Sequence, residues 1–131
     1  MKAFLAIFSA TVWISVSEFV RNEFFLKSYW IDHYNTLGVA FPDAAINGIV
    51  WGVWSLGLAI LCFVLLSRFS LLQSVFISWF AAFVLMWLVV GNLHVLPFGL
   101  LIYAIPLSIL ECYLACLIIK TLAYKNTVPI N

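Results

Sequence analysis

Apolar residues run through this chain in four long stretches, 3–25, 46–66, 72–95 and 98–122, separated by short polar interruptions. Each is long enough to cross a hydrocarbon core of ~30 Å, which takes about 20 residues at ~1.5 Å of rise apiece. Backbone amides and carbonyls find no water partners there, so all four stretches are predicted to be helices. Ser67-Arg68-Phe69-Ser70 reads as a tight polar turn between the second and third. Only Leu96-Pro97 separates the third from the fourth, which forces a hairpin. The pattern predicts an all-α integral membrane protein, a single domain over 1–131 folded as an antiparallel bundle of four transmembrane helices. Its one sizeable loop is 26–45.

That loop region is aromatic as well as charged. Phe24, Phe25, Tyr29, Trp30 and Tyr34 suit a membrane–water interface, where amphipathic rings settle at headgroup level. Glu23 and Lys27 stand four apart and could carry the first helix onward before it turns along the surface. Pro42 and Asp43 mark the expected start of the second long helix.

Small and polar residues recur at helical spacing inside each stretch. The first carries Thr11, Ser15, Glu18 and Asn22; the second Gly48, Gly52, Ser55, Ala59 and Cys62. The third carries Ser74, Ser78, Ala81 and Asn92; the fourth Ala104, Ser108, Glu111, Cys112, Ala115 and Cys116. Lipid gains nothing from such faces, so they are expected to meet one another. Gly48, Gly52, Ser55 and Ala59 are the expected helix-packing set, within the chain, across a homodimer or against a membrane partner protein.

Composition removes other classes. The chain is 66% hydrophobic and 8% charged, against roughly 25% charged in soluble proteins, so the lipid bilayer is its expected solvent. With a net charge of +1 and no basic run it has no footprint for nucleic acid. Cys62, Cys112 and Cys116 lie within apolar stretches, which excludes a secreted disulfide framework. Met1-Lys2 ahead of an apolar run could open a signal peptide, but bulky Trp13 and a single lysine favour a retained first helix. Lys2, Arg68, Lys120 and Lys125 fall on one side of a four-span topology. Arg21 and Lys27, offset by Glu23, Asp32 and Asp43, fall on the other. The bias predicts a multi-pass protein of the inner (plasma) membrane with both termini cytoplasmic.

Charges kept inside such a chain are its best functional pointers. Counted from Ala3, Glu18 lies ~22 Å along its helix, in the half that also holds Arg21, Asn22, Asn47, Asn92 and His94. Glu18 and Arg21 can neutralise each other across one turn. They read either as a polar clasp that sets helix register or as the lining of a pocket for a small polar solute or a proton. Glu111, counted from Phe98, lies ~20 Å in, with no base within a turn. It is expected to be a separate, unpaired acid that keeps its proton, and not a partner of Glu18.

Two histidines, His33 and His94, and the three cysteines give no metal-site spacing, and no metal or cofactor is expected. No nucleophile elbow, phosphate loop or zinc-protease motif is present, so an enzyme built on Glu18, Asn92 and His94 is the least supported reading. Binding or translocation of a small solute leads, and a non-catalytic structural or partner subunit is the alternative. Four short spans with a glutamate in the first, Glu18, resemble the plan of the small multidrug resistance transporters. Arg21, which would compete with a cationic substrate, and the long aromatic loop depart from that plan, so no function is carried over.

Overall fold

The computed structural model describes residues 1–124; Lys125, counted above toward orientation, lies outside the described residues. Among these residues the chain is all-helical. Helix α1 (Lys2–Val20) continues through a π-helical segment, Arg21–Phe25, and α2 is Lys27–Thr36. Helix α3 is Ala45–Leu66. Helix α4 (Leu71–Trp79) passes through a second π segment, Phe80–Val84, into α5 (Leu85–Asn92). A 3-10 turn, Phe98–Leu100, leads into α6 (Leu101–Ala123). Four of the resulting helices, Lys2–Phe25, Ala45–Leu66, Leu71–Asn92 and Phe98–Ala123, are long and apolar enough to cross a membrane.

The region expected to be a loop over 26–45 contains α2. Lys27 pairs with Glu23 across the break at Leu26, and Trp30 and Tyr34 pack on Phe41, so the segment is held in place by its own aromatics. Gly38 ends the helix with φ 71°, a left-handed turn that glycine adopts without steric cost. The Gly38 and Val39 amides then donate to the Asn35 and Tyr34 carbonyls, the bond pair of a Schellman cap. Asp43 does not cap α3: the capping position is Ala44, which has no side chain to do so.

The third long helix stops at Asn92 instead of running on to 95. His94 takes the left-handed position at φ 59°, and the His94 and Val95 amides bond the Gly91 and Val90 carbonyls at 3.0 and 3.1 Å. The polar turn before it behaves as its sequence suggests. Ser70 and Gln73 form a reciprocal capping box at the start of α4.

The long helices pack on one another, α1 against α6 and α3, and α4 against α6 and α3. Their shared core is built largely of small side chains: Ala6 and Ala10 from α1, Ala59 and Cys62 from α3, and Cys112, Ala115 and Cys116 from α6. Small residues let helix backbones approach, so dispersion contacts accumulate between them. A second cluster, Leu26, Leu96, Leu100 and Ala104, closes the α2 end under Trp30 and Trp87. Gly48 and Gly52 belong to neither cluster. A methyl group on either would meet nothing within 4 Å, so the close backbone approach expected of the pair is not made within this chain. Ser55 and Ala59, further along the same helix, are fully buried.

Candidate functional site

Arg21 opens the first π segment and is buried with only 6% of its surface exposed. The wider π turn is often found where a helix must place a functional side chain. Its guanidinium divides between two carboxylates. Nη2 donates to Glu18 Oε1, and Nη1 donates to Glu111 Oε2 at 3.0 Å. The guanidinium carbon also stands 5.1 Å from the ring centre of Phe83, which belongs to the second π segment. The two π segments among the described residues therefore meet at one cation–π contact.

A shell of donors surrounds the acids. Asn22 Nδ2 donates to Glu18 Oε2 at 2.9 Å, and Trp30 Nε1 of α2 donates to Asn22 Oδ1 at 3.2 Å. Ser17 Oγ donates to Glu111 Oε2 at 2.7 Å, and Trp13 Nε1 to the Glu111 backbone carbonyl at 3.1 Å. Glu111 Oε1 is buried without a hydrogen-bond partner. Opposite charges ~4 Å apart attract by ~4 kcal/mol at an effective dielectric of ~20, but desolvation cancels much of that. The cluster therefore ties the first long helix to α6 while adding little net stability.

This arrangement overturns the expectation that Glu111 is unpaired and separate from Glu18. Both carboxyl groups share the guanidinium of Arg21. The depth count failed because it began at Phe98. The first turn of α6 lies alongside α2, with Gly99 and Tyr103 against Tyr29, beyond the end of the first long helix. Glu111 is thereby brought level with Ser17, and the long arginine side chain spans the remaining turn.

Asn47 is half-buried and faces the same cleft as Glu18 and Asn22. Asn92 and His94 are exposed and do not join the cluster. His94 contributes its backbone carbonyl instead, which accepts a bond from His33 Nε2 at 2.8 Å. Sequence reasoning missed Ser17, Trp13, Trp30 and Phe83. Trp13, Ser17 and Arg21 stand four apart on one helical stripe, a signal that was there to be read.

The cleft occupies about 470 Å3 between the first long helix and α3, with Glu18 and Asn22 on one wall and Trp51 and Gly52 on the other. Glycines at 48 and 52 leave that wall open. Arg21 does not line it. The guanidinium lies on the far side, against a smaller cavity of about 140 Å3 roofed by Trp30 and Trp87. Glu18 and Asn22 border both spaces. A third, apolar cavity of about 330 Å3 lies between Leu26, Tyr29 and Tyr103, where the Tyr103 phenol pushes that of Tyr29 above its ordinary value. Cys62, Cys112 and Cys116 are free and buried, and among the described residues no group of three or more His, Cys, Asp or Glu is placed to hold a metal ion. No protein family, curated protein or solved structure matches this chain.

Proposed function

We propose that the chain is an integral membrane protein of the inner (plasma) membrane. In this reading its four long helices cross the bilayer as an antiparallel bundle with both termini cytoplasmic, and the cleft beside Glu18 binds a small polar solute from the opposite side. Support for insertion comes from the surface. Within the most apolar window of each long helix only 22%, 28%, 28% and 39% of residues are buried inside the chain. The exposed remainder is rich in Phe, Leu, Ile and Val, far beyond the apolar patches of a few hundred Å2 that soluble proteins tolerate.

The observation that carries the solute reading is the pairing of space with polarity. A volume of about 470 Å3 falls within the range of small-molecule sites, and its wall holds a buried, hydrogen-bonded carboxylate. One turn along α3 from Ser55 the helix enters the buried core at Ala59 and Cys62, which supports binding from one side over passage through the bundle.

The test is chemical access. Gly52→Cys should react with a membrane-impermeant maleimide added to intact cells, while Ala10→Cys in the core should not. The three native thiols are fully buried and should stay silent. A folded Gly52→Cys protein that resists labelling would sink the reading.

A further inference from the structure

We infer that the solute taken by this cleft is a linear diammonium compound, two amino groups joined by a short alkyl chain. This deepens the reading above and rests on it. The cleft follows α3 from Ser55 to Asn47, about 12 Å of helix, and continues to Asp43. It is elongated, with chemistry that changes along its length.

Its charge is one-sided. Glu18, Glu23 and Asp43 line it against a single base, Lys27, which is already paired with Glu23. Arg21, which from sequence alone would repel a cation, is held behind Glu18 by Glu111 and Phe83. Two carboxyl groups share that one guanidinium, and of the two only Glu18 lines the cleft.

The acids stand at two levels. Glu18 is buried, while Glu23 is half-buried and Asp43 exposed at the mouth; Glu18 and Glu23 are five residues apart, about 7.5 Å at the ordinary helical rise. A chain of four or five methylenes sets its terminal ammonium groups at about that separation. Between the two levels the walls are Phe19, Phe41 and Trp51, surfaces that pack methylenes and attract cations. A monoamine, or a single-ammonium lipid headgroup, would use only one level.

The test uses the full chain in phosphatidylcholine nanodiscs, titrated calorimetrically with 1,5-diaminopentane, pentylamine and 1,5-pentanediol. The diamine should bind at least tenfold more tightly than the monoamine, and the diol should give no heat. Asp43→Asn, at an exposed position, should bring the diamine down to the monoamine's affinity without disturbing the fold. Glu18→Gln should weaken both amines about tenfold. Equal binding of mono- and diamine, a diamine preference that survives Asp43→Asn, or displacement of the diamine by phosphatidylethanolamine in the disc would overturn the inference. Gly52→Cys labelling separates the two levels of failure: a labelled cleft that binds no amine sinks the ligand class alone, and an unlabelled one sinks the site.

Discussion

Replacing Arg21 with glutamine removes the one positive charge that two buried carboxyl groups share. Glu18 and Glu111 would then face each other at 5% and 0% exposure, with only Asn22 and Ser17 as side-chain donors. Stripping one partner from a buried ion pair costs about 3–5 kcal/mol. Either acid alone is a milder loss. In Glu111→Gln, Arg21 keeps its bond to Glu18, and the new amide still accepts from Ser17, so the cost should be about 1 kcal/mol. The double variant Arg21→Gln with Glu111→Gln leaves a single unmatched carboxyl and should regain part of the loss. A coupling of 1 kcal/mol or more is expected for residues in one network. At about 3 °C per kcal/mol for a chain of this size, Arg21→Gln should melt about 10 °C below the parent in detergent, followed by tryptophan fluorescence. Double-variant losses equal to the sum of the singles, or a Glu111→Gln loss exceeding that of Arg21→Gln, would refute the shared-guanidinium argument.

Other expectations are simpler to check. Impermeant thiol reagent on whole cells should reach Asn35→Cys in α2 and not Ser70→Cys before α4; the reverse pattern inverts the topology. Gly38→Ala should cost about 1 kcal/mol because its backbone is left-handed, whereas His94→Gly should be neutral or stabilising by up to about 1 kcal/mol for the same reason. Paired detergent melts would show the opposite signs. Ser70→Ala removes half of the capping box and should lower stability by about 1 kcal/mol in the same assay, and no change would mean the box contributes nothing.

The four long helices were legible because length and apolarity are local properties, and α3 begins one residue from where its pattern does. The α2 helix was less so, since a polar, aromatic ten-residue segment carries no apolar period and is held by contacts with Phe41 and Asn22. Neither π segment has a compositional mark; each is a backbone choice enforced by packing. Within the site, Glu18, Arg21 and Asn22 could be grouped because they lie within four residues of one helix. Glu111 could not, because pairing across helices depends on how far α6 is shifted relative to α1. That shift brings Tyr103 and Gly99 against Tyr29 of α2, residues that carry no charge. The glycine pair makes no close approach within the chain for a related reason. Small residues permit close approach but do not compel it, and here Gly48 and Gly52 line the cleft instead of a helix contact within the chain.

The division of the ion cluster between the first and last helices has a consequence for biogenesis. If the long helices cross the bilayer as proposed, α1 arrives first with Glu18 and Arg21 one turn apart, an internally neutral pair that can enter by itself. Glu111 comes 90 residues after Arg21, on a helix that carries no cation of its own at that level. A lone acid near the middle of a segment adds about 2.5–3.5 kcal/mol to insertion, a burden relieved only by a helix already in place. In that topology the last long helix depends on the first for its own entry into the membrane. A chain truncated before α6 should insert readily, while α6 expressed alone should not.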